Sequence, residues 1–230
     1  MPGDAAYRGA GAGRGRRLVR VTELAATRAY YDTVAEEYAA RVPGLFAQDG
    51  PGRALIGAFA EEVRADGGLP VADVGCGPGH VTAHLAGLGL DAHGVDVSSR
   101  MVELARHRHP DLRFETGEMD ALALPDSGLG GIVAWWSILH TPPDRLPALF
   151  AEFHRVLAPG GRLLLGFHAG NGEPYTAEKR AGGFAYAIHL LAPDDVVRQL
   201  AGAGFAVTAR LTTAGARWPQ VCLLARDAGA

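Results

Sequence analysis

Asp73, Gly75, Gly77 and Gly79 stand together in Val71-Ala72-Asp73-Val74-Gly75-Cys76-Gly77-Pro78-Gly79-His80, and Asp96 follows seventeen residues after the last of these glycines. Alternating glycines permit positive φ and let a ligand approach the main chain without meeting a Cβ. An acid at about that distance is placed to accept hydrogen bonds from both hydroxyls of a ribose. The two features together suit a nucleotide-like cofactor. His140 and His168 each follow a strongly apolar run. Histidine's ordinary pKa of about 6.5 leaves it neutral and basic near pH 7, so either one offers removal of a proton.

The elements that position these groups follow from the apolar pattern. Val71 to Val74 is a short continuous apolar strand interrupted only by Asp73, and Val81, Leu85 and Leu88 then recur at helical spacing. The glycines therefore occupy a strand-to-helix turn. Downstream, strand and helix alternate, which predicts a parallel α/β sheet. The strands expected are Ala92–Val97, Leu112–Thr116, Gly130–Trp136 and Arg162–His168, with Gly204–Val207 and Val221–Ala225 as a closing antiparallel pair. In such folds ligands bind outside the carboxyl ends of the strands, which is where Asp96, Trp135, His140 and His168 fall.

The glycine spacing departs from the dinucleotide fingerprint, whose third glycine position is occupied by His80 while Gly79 stands one residue early, which disfavours a nicotinamide oxidoreductase but keeps it as a rival class. With Asp73 ahead of it, the loop resembles motif I of the class I S-adenosylmethionine-dependent methyltransferases. Tyr31-Asp32 through Tyr38 is similar to the family's "YD…A…Y" helix, and Arg155-Val156-Leu157-Ala158-Pro159-Gly160-Gly161 to its "R-V-L-x-P-G-G" segment. The resemblance runs from about Thr22 to Arg226.

It implies a doubly wound, mostly parallel, seven-stranded Rossmann-like sheet, with an N-terminal helical cap over residues 22–66 and a substrate lid over residues 169–192. It implies S-adenosyl-L-methionine as cofactor, held by Asp73, Gly75, Cys76, Gly77, Gly79 and Asp96. Val97 and Met101 would flank the adenine, Glu118 and Met119 would contact its edge, and Trp135 would border the site. Glu118 replaces the family's usual Asp, and Asp120 is the alternative acceptor. Tyr31 and Tyr38 would lie over the cofactor and the transferable methyl, since a ring face suits a sulfonium cation. His140, His168 and Tyr31 are the candidates for handling the acceptor's proton.

The acceptor implied is a small molecule reacting at O, N or an electron-rich carbon, in secondary metabolism. The absence of an Asn-Pro-Pro-Tyr-type segment after the fourth strand weighs against amide or base N-methylation. The rival reading is a protein of the same fold that binds the cofactor without methyl transfer.

Composition agrees with a single domain. The 230 residues are 48% hydrophobic and 20% charged, with a net charge of -3, which predicts no general affinity for nucleic acid or acidic membrane. Cys76 and Cys222 are too few and too far apart for a disulfide framework or a zinc site, and no metal is expected. No apolar run approaches the ~20 residues of a membrane helix. The expectation is a soluble cytoplasmic monomer or homodimer. Residues 1–21, rich in Gly, Ala and Arg, are expected to be a disordered basic tail.

Overall fold

A computed structural model describes residues 14–177 and 186–229. Helices α1 (Arg14–Gln48) and α2 (Gly50–Ala65) precede β1 (Val71–Val74), α3 (His80–Gly87), β2 (Ala92–Asp96), α4 (Ser99–Arg108), β3 (Arg113–Thr116) and β4 (Leu129–Trp135). A 3-10 turn (Ile138–His140) leads to α5 (Leu146–Val156) and β5 (Leu157–His168). Then come β6 (Pro174–Ala177), β7 (Tyr186–His189), α6 (Pro193–Gly202), β8 (Phe205–Thr213) and β9 (Gln220–Asp227).

Seven strands form one sheet in the order β3-β2-β1-β4-β5-β9-β8. The first five are parallel, and β9 runs antiparallel to both β5 and β8. The order reverses between β1 and β4, and a ligand crevice opens at such a switch point. Alternate residues of one strand feed the two cores. Ile132 and Ala134 of β4 pack with Phe150 and Phe153 of α5, while Val133 and Trp135 pack with Phe59 and Val63 of α2. Burying each such aromatic or branched side chain contributes roughly 1.5–3 kcal/mol. At the opposite end of β5 from the crevice, Arg162 bonds Glu62 and Asp66, each at 2.6 Å, and so fastens the end of α2 to the sheet.

Two expectations are corrected. The first helix starts at Arg14, eight residues before Thr22, and so includes part of the expected tail. Once a helix is nucleated each added residue gains a bond, and the Arg and Leu of residues 16–20 are good helix formers. The same helix passes through Pro43 to Gln48, where the sequence reading ends it at Arg41 and takes Pro43 as the break before the second helix, since a proline inside a helix costs about 3 kcal/mol. Its last turns are held from outside: Phe46 sits edge-on to His80 and His84, with centroids 5.3 and 5.2 Å away. Within the stretch expected as a lid, β6 and β7 form an antiparallel pair, a separate two-stranded sheet. Strand β7 packs on α1 and on the 3-10 turn. Residues 1–13 of the expected tail, and Phe184 of the lid, lie outside the described residues.

Candidate active site

Strand β1 ends against β4 at a crossing too close for a side chain. Ser137 Oγ donates to the Val74 carbonyl at 2.7 Å, and a Cβ built on Gly75 would come within 2.3 Å of the Ser137 Cβ. Gly75 also has φ +77, so the position requires glycine on both counts. Its N–H donates to the Val95 carbonyl at 2.7 Å, which turns the loop toward β2. Gly77, at φ +53, meets nothing closer than a Tyr38 ring carbon at 3.7 Å and borders the cavity. Gly79 is different. It is the left-handed N-cap of α3, and a Cβ there would strike Phe114 and His109, away from the cavity. Its glycine serves the turn and the packing, and it does not line the site.

The cavity at the carboxyl ends of β1, β2 and β4 measures about 740 Å³, within the ~300–1,000 Å³ usual for small-molecule sites. Asp73 and Asp96 both line it and both are buried. Asp73 Oδ2 accepts from Thr82 Oγ1 at 2.7 Å. Asp96 accepts from the Gly77 N–H at Oδ2 and from the Ser98 N–H at Oδ1, each at 2.8 Å. The two oxygens of a carboxylate have about four acceptor positions between them, so Asp96 keeps capacity for a ligand. Burial raises Asp73 to about 7 and Asp96 to about 6, with mutual repulsion adding to the Asp73 shift. A donor-rich or cationic ligand would relieve that cost.

Helix α1 is clamped over this opening. Asp32 Oδ1 accepts from the buried Ser98 Oγ at 2.6 Å, and Ser98 Oγ in turn accepts from Met101 N at 3.1 Å to cap α4. Tyr31 and Tyr38 line the cavity, with ring centroids 5.6 Å apart and nearly perpendicular. Burial pushes the Tyr38 phenol up to about 12, so it stays protonated.

Tyr31 meets His140 across the cavity, its hydroxyl 2.9 Å from Nε2. His140 Nδ1 lies 3.1 Å from the Ala187 carbonyl of β7. A carbonyl only accepts, so Nδ1 carries the hydrogen and a neutral ring presents Nε2 as acceptor to the Tyr31 hydroxyl. Burial is the main reason His140 falls to about 4, with His189 and His168 lowering it further. The ring is neutral at pH 7, far from the ordinary value of 6.5. Because the folded pKa is depressed, the unfolded chain binds the proton first. The stability from this group is full above pH 6.5 and is lost as pH falls toward 4. A shift of that size is worth roughly 3 kcal/mol. Chemical denaturation at pH 7 and at pH 4.5 should therefore show wild type losing more stability on acidification than His140→Gln, and equal losses would contradict the buried neutral state.

The remaining predicted residues divide. Cys76, Val97, Met101, Met119 and Trp135 line the cavity. Glu118 does not; its carboxylate lies 3.7 Å from Arg28, and Asp120 borders the cavity in its place. His168 is also outside, its ring stacked on Trp136 at 5.1 Å and 27°. It is set back because the sheet's pleat and the intervening indole decide what faces the opening. Trp136 and Ser137, within the stretch from Trp135 to His140 that the sequence puts at the site, also line it; sequence reasoning missed His80, which neighbours a recognised motif, and Glu23, Asp144 and Arg145, which reach the cavity only through folding. Trp136 has φ +56, an uncommon conformation for a bulky residue. No group of His, Cys, Asp and Glu suited to a metal exists among the described residues.

Comparison with known proteins matches residues 71–161 to a family described as a methyltransferase domain. The malonyl-[acyl-carrier protein] O-methyltransferase of Pectobacterium atrosepticum is 32% identical over 97 residues, covering 42% of this chain and 38% of that protein. The O-methyltransferase cnsE of Penicillium expansum is 34% identical over 153 residues, covering 61% and 53%. The chain thus spans about half or less of the curated relatives it matches. Among solved structures, magnesium protoporphyrin IX methyltransferase from Synechocystis PCC 6803, with S-adenosylmethionine bound, superposes with a TM-score of 0.66 at 22% identity. That match covers 89% of this chain and 96% of that one. The matched segment, which holds the glycine loop, is thus similar to methyltransferase domains, and the likeness to the solved structure shows a shared fold.

Proposed function

We propose that this cavity binds S-adenosyl-L-methionine and that the chain transfers its methyl group to a small-molecule acceptor. The observation that carries the reading is the meeting, in one cavity, of the glycine loop, the buried Asp96 and the Tyr31–His140 pair. The residues fit the cofactor. Asp96 keeps acceptor capacity for the ribose hydroxyls, and Asp73 offers a carboxylate to an amino group. Met101 and Val97 give the apolar border for a base, and the Tyr31 and Tyr38 rings suit a sulfonium. When bound, the cofactor supplies a methyl group already activated by positive sulfur.

The protein's part is alignment and proton handling. Tyr31 Oη donates to His140 Nε2, and a hydroxyl oxygen can also accept from an acceptor's O–H or N–H. A proton arriving at Tyr31 Oη can pass on to Nε2 as the acceptor's new bond forms. The Ala187 carbonyl keeps the ring in the tautomer this requires. The relatives include O- and N-methyltransferases by name, so an alcohol, phenol, carboxylate, amine or electron-rich carbon all fit the class. We place the protein in natural-product biosynthesis, in the cytoplasm, as a monomer or homodimer; no described helix is long and apolar enough to cross a membrane.

The test is incubation with methyl-labelled cofactor and a panel of acceptors, read by mass. Gain of one labelled methyl on one acceptor class, with release of the demethylated cofactor, is expected. Tight cofactor binding with no transfer across every class would favour a binding protein of the same fold.

A further inference from the structure

A second cavity lies on the outer side of the glycine loop, between the end of α1 and the helices α2, α3 and α4. Its titratable lining consists of Arg53, His80, His84, Arg108 and His109, and no described carboxylate lines it, in a chain of net charge -3. Five basic groups from α2, α3 and the end of α4 therefore converge with no described carboxylate among the lining residues. Such a one-sign lining beside apolar walls focuses the field on whatever enters.

The groups are held in place. Phe46 sits edge-on to the rings of His80 and His84, one helical turn apart on α3. His109 abuts the glycine loop, 3.1 Å from where a Cβ on Gly79 would stand. Arg108 Nη1 donates to the Ala39 carbonyl, which fixes its guanidinium against α1. His80 Nδ1 is buried with no hydrogen-bond partner, a condition that calls for a ligand or a water.

We infer that this pocket is a binding site for a phosphate-class oxyanion, with Arg53 and Arg108 as its charged arms and His80, His84 and His109 as its inner donors. Guanidinium matches phosphate in charge and in the fork of its N–H groups, and protonated imidazole adds further donors. The empty pocket opposes that protonation. Burial is the first cause lowering each of the three histidines, and a basic neighbour adds to it in each case. An anion would remove the repulsion and draw protons onto the rings. His80 borders both cavities, so filling the outer one changes affinity in the inner one, and the effect is reciprocal. The coupling rests on the cofactor reading above, whereas the oxyanion site itself does not.

The experiment follows the imidazole resonances of the full chain by NMR at constant pH and ionic strength while inorganic phosphate replaces chloride. A parallel arm uses glycerol 3-phosphate. Saturable shifts confined to His80, His84 and His109 are expected. Arg53→Glu should weaken the apparent affinity by at least tenfold, and Arg108→Gln, which keeps a donor for the Ala39 carbonyl, by a smaller factor. Tighter binding of the monoester would identify a phosphorylated metabolite as the ligand, and equal binding would identify inorganic phosphate. Shifts that never saturate, or that survive unchanged in Arg53→Glu, would overturn the site. Phosphate binding without any change in cofactor affinity would overturn the coupling alone.

Discussion

Replacing His140 by alanine is expected to lower turnover roughly 100-fold or more while leaving cofactor affinity nearly unchanged. The imidazole is the acceptor for the Tyr31 hydroxyl, at 2.9 Å, and touches it from the far side of the cavity. Tyr31→Phe keeps the ring but deletes the oxygen through which an acceptor's proton would pass. It should therefore lose a comparable factor, and the double variant should lose little more than either single one, because the two residues act as a unit. Near-normal turnover in Tyr31→Phe would remove the phenol from the proton's path. The pH profile carries a second check. With cofactor saturating, so that Asp73 and Asp96 are already engaged, and His140 held to about 4 by burial, kcat should stay level from pH 8 to about 5.5 and fall only below that. An acid limb near 6.5 would show the ring to be solvated and free to titrate in its ordinary range.

The second large effect is expected at Asp96. Asp96→Ala removes the acceptor of two backbone N–H groups, Gly77 and Ser98, as well as the carboxylate offered to the ribose. Loss of a charged hydrogen-bond partner costs about 1.5–3 kcal/mol, equivalent to a roughly 10- to 150-fold fall in cofactor affinity. The orphaned donors should also lower the melting temperature, since Asp96 stitches the glycine loop to the start of α4. A variant that melts like wild type and binds the cofactor as tightly would assign the ribose to another group.

Much of this was legible in the sequence, and the reasons differ by element. The parallel strands are short apolar runs bounded by turn residues, so their order of appearance and type could be read directly. Asp73, Gly75, Gly77 and Asp96 were legible because strand ends and loop glycines are local features. Gly79 was misassigned because the same positive φ serves a helix start and a cofactor cradle, and only the neighbouring Phe114 decides between them. Pro43 misled for a related reason: its local cost is outweighed by contacts to α3 from 34 or more residues away in the chain. The partner of His140 is a backbone carbonyl on β7, and a carbonyl leaves no mark on a sequence. His168 has the same strand-end signature as His140, yet Trp136 stands between it and the opening.

The central claim is that the cavity at the ends of β1, β2 and β4 is built for S-adenosylmethionine. Isothermal titration calorimetry of the wild-type chain with that cofactor, and separately with NAD, tests it most directly. The account predicts saturable one-site binding of S-adenosylmethionine, weakened in Asp96→Ala, and no heat of binding with NAD. Binding of NAD, or no binding of S-adenosylmethionine by a folded chain, would contradict it.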